Sequence, residues 1–555
     1  MASSQNHTRT FWIATTLASL AVFTLMGRLV WVTMTAGKTR EYQDPVVSER
    51  VVRGTIYDRG GQILAIETPS YNLYFRLSQI KDMEAIAALV SPYIGMSVEE
   101  IKRQVSRYQT YALVRRDIGE SDAVALRNAV RQAGLSNAVD IDKHVSRTYP
   151  ASFHASQTIG FVDTNNRGLE GIEYAQDANL SPLPLLGSPE TSYGQDITLT
   201  LDIDVQYLLD LEMQRIAQEH LPDYAIGIVM DAKSGDILAL SSYPWYDTND
   251  IASSSETSRL NHAVNYLYEP GSVFKVFSLC AEMEIGQADL STPFICDGSF
   301  TFDGITIGCH EPHGAVTPRE MISLSCNGAV ANWALQTDSK RFYGILDQLG
   351  FNRAYDIGLP SRSRARIADP STWSARSKAT ISFGQEVSVT ALHLAAAATA
   401  LANGGSMLEP HLILKRSKGN ETGNIGETLF QREITKSGQI FSEEVARKVL
   451  DYMHSATEVG GTARLAAVEG VNVSAKTGTA QLYNPETHSY KDGGNLASTL
   501  ALVPTEDPEY IIYIAAGNPK GNTIWGANIA GPAVGKVVKG LVSQGKLASN
   551  VSPVL

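Results

Sequence analysis

The chain has 555 residues, 43% of them hydrophobic, and a formal net charge of −12. That length exceeds what one hydrophobic core ordinarily serves, so two or more domains are expected. The acidic balance, without a long Lys/Arg run, excludes non-specific nucleic-acid binding, and four cysteines are too few for a disulfide-built scaffold.

In chain order, a short tail (residues 1–10) precedes a segment, Phe11 to Met34, that is apolar apart from small polar residues and Arg28. About 20 apolar residues span a bilayer as a helix. Trp12 and Trp31 suit the two rims, and Arg28 can snorkel to one of them. A cleaved signal peptide has a shorter apolar core and a small-residue cleavage site, and neither is evident, so an uncleaved anchor over 11–34 is expected. Arg9 before it and Lys38 and Arg40 after it leave the orientation open.

A second region is expected over 41–190. Gly60-Gly61 between two apolar runs reads as a hairpin turn. Glu84 to Tyr108 and Glu120 to Gly134 carry helical periodicity. Pro182 to Pro189 reads as a connector. A third region, 196–545, opens with a strand at Ile197 to Leu201 and a helix from Val205 to His220, capped by Asp202 or Asp204. Ala225 to Met230 and Asp236 to Ser241 read as a hairpin. Helices are expected at Val273 to Glu282, Arg319 to Leu324, Ala391 to Ala402, Glu443 to Ala456 and Pro532 to Val542. Strands are expected at Val471 to Gln481, Leu496 to Val503 and Tyr510 to Gly517. This order suggests an α+β fold with helices against a sheet.

Three motifs in the third region carry chemistry. Ser272-Val273-Phe274-Lys275 follows Pro270-Gly271 and starts a helix. Ser272 would be a nucleophile at a helix N-terminus, with Lys275 one turn on. A buried amine near a second cation loses its proton readily, so Lys275 suits a general base. Ser78 to Lys81 and Ser543 to Lys546 share the spacing but not the Pro-Gly entry. Ser325-Cys326-Asn327 offers a hydroxyl relay and an amide, which could hold a substrate peptide group or help set the charge of Lys275. Lys476-Thr477-Gly478-Thr479 lies on a strand. Its ammonium and hydroxyls suit a carboxylate, and Gly478 would let a substrate backbone approach. The N–H groups of Ser272 and Thr479 could form an oxyanion hole. Any one motif occurs by chance; the ordered set points to acyl transfer through a serine ester.

Other clusters read more plainly. Asp58, Glu170 and Glu173 suit ion pairs or caps better than an acid pair for glycan cleavage. His310-Glu311-Pro312-His313 lacks helical metal-site spacing and reads as a surface turn. Cys296 and Cys309 flank a turn-rich stretch and could bridge in an oxidising compartment, whereas Cys280 reads as a buried thiol. No C-x-x-C pair is present, and neither a metal nor a cofactor is expected.

With these motifs in place, the chain resembles the class B penicillin-binding proteins. Arg53-Gly54-Thr55-Ile56-Tyr57-Asp58-Arg59 and Gly168-Leu169-Glu170-Gly171-Ile172-Glu173 resemble the opening and closing signatures of that family's non-catalytic pedestal. Tyr268-Glu269-Pro270-Gly271-Ser272, His313-Gly314 and Phe383-Gly384-Gln385 fit as well. The resemblance implies a penicillin-binding transpeptidase fold: an antiparallel sheet flanked by helices, an elongated pedestal and a transmembrane anchor. It implies a peptidoglycan D,D-transpeptidase with Ser272, Lys275, Ser325 and Asn327 catalytic and Lys476, Thr477, Gly478 and Thr479 binding substrate. Stem peptides, β-lactams, a SEDS-type glycan polymerase and other division membrane proteins are its implied partners. The implied location is the inner membrane with the catalytic part outside. Tyr-Glu-Pro-Gly before the serine is closer to the FtsI-type division branch than to the elongation branch. The rivals are a D,D-carboxypeptidase or β-lactamase sharing the motifs, which the anchor and pedestal disfavour, and a non-enzymatic scaffold, which the intact motifs disfavour.

Overall fold

A computed structural model describes residues 22–28, 51–183, 191–360, 363–420, 425–482, 487, 489–490 and 492–549. Of the expected anchor only 22–28 fall among these; they are helical and exposed, and the rest of 11–34 lies outside the described residues. Among the described residues no helix is long and apolar enough to cross a membrane.

The pedestal is built on one long strand, Ile63–Arg76, paired antiparallel with Tyr111–Ile118 and Val139–Thr148. Helices Met83–Ile94, Val98–Val105 and Glu120–Gln132 close a core containing Leu73, Phe75, Val90, Ile101 and Leu126. The single helix expected from Glu84 to Tyr108 is thus two. Gly95 adopts φ 62°, a left-handed stop, and Ser97 then forms a capping box with Glu100.

The signature acids are structural here. Arg53, fully buried, donates to Glu173 Oε2 at 2.7 Å and to Asp177 at 2.6 Å, while Arg147 donates to Glu173 Oε1 at 2.7 Å. Asp58 closes the Gly60-Gly61 turn by accepting from Gln62 N–H at 2.7 Å, and its other oxygen accepts from Ile203 N–H at 3.2 Å. The pedestal and the third region are joined by more than a connector. Ile56–Tyr57 pairs with Ile63–Arg76 on one side and, in parallel, with Asp196–Leu199 on the other. The sheet then continues through Ile413–Ser417 to Thr428–Gln431. The strand expected to open the third region therefore belongs to this shared sheet.

The third region's own sheet has five antiparallel strands: β1 (Tyr224–Asp231), β2 (Ile237–Tyr243), β3 (Ser474–Gln481), β4 (Asn495–Val503) and β5 (Tyr510–Gly517), in the order β3-β4-β5-β1-β2. Its strands bury both faces, so residues alternate between two cores. Ile512, Ile514 and Ala516 face α1 (Ile203–His220) and the C-terminal helix Gly526–Ser543. Ile511, Tyr513 and Ala515 face the opposite core, with Lys275–Ile285 and the wholly buried Ala391–Ala402. Asp202 caps α1 by accepting from Asp204 and Val205 N–H. The C-terminal helix begins six residues before Pro532, which sits inside it rather than at its start.

Candidate active site

The nucleophile candidate sits where a tight turn becomes a helix. Gly271–Phe274 is a 3-10 turn that continues as α2, Lys275–Ile285. Gly271 has φ 57° and donates its N–H to Gly384 O at 3.0 Å. A Cβ on Gly384 would lie 2.3 Å from Gly271 O, so the Phe383-Gly384-Gln385 segment grips the turn from behind. Glu269, just before it, accepts from Glu386 N–H and from Tyr490 Oη, both at 2.9 Å. Burial holds the Glu269 carboxyl above its ordinary pKa.

Ser325 is presented by a helix-to-helix junction. α3 (Pro318–Leu324) starts with a Thr317–Glu320 capping box and ends at Ser325 in the left-handed region (φ 62°). Cys326 then leads into α4 (Asn327–Gln336). This kink turns the Ser325 side chain toward two buried amines. Lys275 Nζ donates to Ser325 O at 2.5 Å and lies 3.2 Å from Ser325 Oγ; Lys476 Nζ donates to the same Oγ at 2.9 Å. Both lysines are fully buried. Burial lowers the Lys275 pKa to about 8. Burial, and then the charge of Lys275, lowers Lys476 well below its ordinary range. Two ammonium groups sharing one hydroxyl in a dry site repel, so the pair releases a proton far more readily than isolated lysines.

β3 is an edge strand, and its Lys476, Gly478 and Ala480 face the nucleophile turn. A Cβ on Gly478 would lie 2.9 Å from Val273 Cγ2 and 2.6 Å from Ser498 Oγ, and one on Gly271 would lie 2.8 Å from Ala480 Cβ. Gly478 is thus required by the protein's own turn packing onto the strand, not only by an approaching substrate. Thr479 Oγ1 accepts from Gly526 N–H at 3.1 Å, which pins the C-terminal helix to the strand. Asn327 does not reach the lysines; its Nδ2 donates to Gly308 O at 2.9 Å.

A cleft of about 290 Å³ brings together Ser272, Ser325, Asn327, Thr477 and Thr479. Its remaining walls, His310, Thr462, Trp525, Ala527 and Asn528, were not anticipated. Thr462 is anchored to the Ser325 helix by its N–H and hydroxyl, which donate to Ser323 O at 3.0 and 2.9 Å. His310, expected on a plain surface turn, borders the cleft. None of the four cysteines is in a disulfide, so Cys296 and Cys309 are not bridged; a near neighbour of Cys309 is Cys326, with sulfurs 3.7 Å apart.

Comparison with known proteins agrees with this architecture. The model of the penicillin-binding protein transpeptidase domain matches residues 225–539, and that of the penicillin-binding protein dimerisation domain matches residues 48–187. The chain is 28% identical over 503 residues to the probable peptidoglycan D,D-transpeptidase FtsI of Caulobacter vibrioides, covering 88% of this chain and 80% of that one. It is 27% identical over 509 residues to the probable peptidoglycan D,D-transpeptidase PenA of Neisseria meningitidis, covering 88% and 84%. Stage V sporulation protein D of Bacillus subtilis is 27% identical over 511 residues, covering 88% and 77%. In fold it is similar to penicillin-binding protein 3 of Mycobacterium tuberculosis in complex with aztreonam, with a TM-score of 0.72, 21% identity, and coverage of 91% of this chain and 99% of that one. The chain belongs to the class B penicillin-binding proteins, a transpeptidase domain carried behind a dimerisation-type domain.

Proposed function

We propose that this peptidoglycan D,D-transpeptidase works through Ser272, with Lys275, Ser325 and Lys476 moving and holding the protons. The observation that carries this reading is the convergence of two buried lysines on Ser325 Oγ in the cleft that Ser272 lines. Lys476, Thr477 and Thr479 receive the terminal carboxylate of a stem peptide. That negative charge favours the ammonium form of Lys476 and leaves Lys275 the neutral member of the pair. Ser272 Oγ attacks the carbonyl between the two terminal D-alanines while Lys275 accepts its proton. The proton passes through Ser325 to the departing amine of the last D-alanine, giving an acyl-serine. An amine of a neighbouring stem then attacks the ester, loses its proton by the reverse route and restores Ser272. Asn327, held by Gly308 O, presents its amide oxygen to the substrate peptide.

A β-lactam would form the same ester with Ser272 and stay. The test is labelling with a fluorescent penicillin, followed by mass mapping of the modified peptide. The label is expected on Ser272 and absent from Ser272→Ala. Label on another residue, or cross-linking by the Ser272→Ala protein, would refute the assignment. Rapid β-lactam turnover would instead identify a hydrolase.

The division branch is the reading we favour, supported by Tyr268-Glu269-Pro270-Gly271 and by likeness to FtsI. Midcell recruitment of a fluorescent fusion tests it; uniform side-wall localisation would overturn it. The apolar segment 11–34 is proposed as the inner-membrane anchor, with the pedestal outside beside a SEDS-type polymerase. Protease accessibility of the pedestal in spheroplasts, with protection in intact cells, tests that orientation.

A further inference from the structure

Behind the cleft, three thiols and an imidazole from the stretch between residues 296 and 326 meet. Cys296 ends the strand Phe294–Cys296, where it pairs with Gly314 of Gly314–Val316. Cys309 follows the hairpin Ser299–Phe302/Ile305–Gly308 and is held by its N–H to Gly298 O at 2.9 Å. His313 immediately precedes the strand Gly314–Val316, and Cys326 is the residue between Ser325 and Asn327. One ligand atom from each lies within 4.8 Å of all the others.

Two of the spacings match a coordination sphere. Cys309 Sγ is 3.7 Å from Cys326 Sγ, and Cys296 Sγ is 3.4 Å from His313 Nδ1. Tetrahedral zinc, with bonds of about 2.3 Å to sulfur and about 2.0 Å to nitrogen, places two sulfurs about 3.8 Å apart and sulfur and nitrogen about 3.5 Å apart. A disulfide needs about 2.05 Å between sulfurs. A further observation points to a ligand. Gly328 N–H points at Cys309 Sγ at 3.4 Å, the kind of outer donor that supports a metal-bound thiolate. Cys296 and Cys326 are buried, and Cys309 and His313 are half-buried, so the position is shielded.

We infer that Cys296, Cys309, His313 and Cys326 form a tetrahedral zinc site that ties the 294–316 hairpins to the junction carrying Ser325 and Asn327. Three soft sulfurs and one imidazole favour zinc over magnesium or calcium. On binding, three thiols give up protons to solvent, the imidazole stays neutral and the metal keeps its oxidation state. All four positions on the metal are filled, so the site is structural. Its role is positioning: Cys326 is the middle residue of the Ser325–Asn327 motif, and Gly308 O, one residue before Cys309, accepts from Asn327 Nδ2 at 2.9 Å.

The test uses the full-length chain in detergent. Zinc content by elemental mass spectrometry is expected to be one per chain, and to fall to background in both Cys296→Ser and His313→Ala. Stepwise mercurial modification of the unmutated protein is expected to release zinc, read with a colorimetric chelator, in step with thiol loss. This arm does not depend on any variant folding. Cobalt exchanged into the site should show thiolate-to-metal charge-transfer bands. The inference is overturned by a metal-free protein with four freely titrating thiols, by a Cys309–Cys326 disulfide in the peptide map, or by zinc retained in Cys296→Ser. Metal content of Ser272→Ala should match the unmutated chain, so failure here is distinguishable from failure of the serine chemistry.

Discussion

Gly478→Ala tests whether the nucleophile turn is seated directly on the edge strand. The added Cβ would lie 2.9 Å from Val273 Cγ2 and 2.6 Å from Ser498 Oγ. Ser498 can rotate its hydroxyl aside. Val273 cannot, because it is fully buried and β-branched. Comfortable carbon–carbon contact begins at about 3.5 Å, so the turn must retreat by roughly 0.6 Å. A misplacement of about 1 Å costs about 100-fold in rate, so a loss of about tenfold in acylation is expected. The overpacked contact should also cost about 1–3 kcal/mol of stability. Stopped-flow acylation by a chromogenic cephalosporin reads the first effect, and thermal unfolding reads the second. Gly438→Ala is the control, because a Cβ there meets nothing within 4 Å. Unchanged acylation in Gly478→Ala would show that the turn does not bear on the strand as described.

Other outcomes follow from the same geometry. The base role proposed for Lys275 needs the neutral amine, and burial lowers its pKa to about 8, so acylation at fixed β-lactam should rise with pH through about 8 and level off above it; a rate independent of pH between about 6 and about 9 would remove Lys275 from that role. Arg53→Ala leaves Glu173 buried with only Arg147 beside it and should cost about 3–5 kcal/mol in unfolding free energy, while β-lactam acylation of the folded fraction stays unchanged. His393 is buried and neutral, its Nε2–H donating to Arg353 O at 2.8 Å and Nδ1 accepting from Thr390 Oγ1 at 2.7 Å. Burial lowers its pKa to about 4. The unfolded chain therefore binds a proton first, and stability present above pH of about 6.5 should be lost as pH falls toward about 4, by up to about 3 kcal/mol. His393→Gln should flatten that part of the curve of melting temperature against pH.

The sequence made the catalytic sheet legible because its strands alternate strongly or are wholly apolar. The same holds for Ala391–Ala402, whose bounds match the expectation residue for residue. Elsewhere local signals competed. Gly95 and Ser97 carried the stop and restart that split the pedestal helix, but the apolar spacing ran through them. Pro532 reads as a first-turn residue, yet Gly526 to Gly531 extend the helix onto β3, where a Cβ on Gly526 would lie 2.2 Å from Gly478 O. The motif residues were readable because their chemistry is local. Thr462, Trp525 and Asn528 were not, since each enters the cleft only through tertiary folding. Asn327 was named as a candidate, but its partner, Gly308 O, sits on a hairpin that no periodicity announced. The thiol–imidazole cluster escaped for the same reason: its members are brought together by two hairpins and a helix junction rather than by a compact motif.

The strand Ile56–Tyr57 is stitched on one side to the pedestal and on the other to Asp196–Leu199. A load on the outer end of the pedestal would therefore pull lengthwise along paired backbones, with several rungs resisting at once, instead of bending a slack tether. Cutting the chain within the stretch that reads as a connector, Pro182 to Pro189, would not liberate a clean catalytic module. It would bare the flank of Asp196–Leu199, a raw β edge seeking another chain to adopt. Truncations meant to isolate the penicillin-binding half should keep the stretch from Arg53 to Ile66, or supply it as a separate peptide.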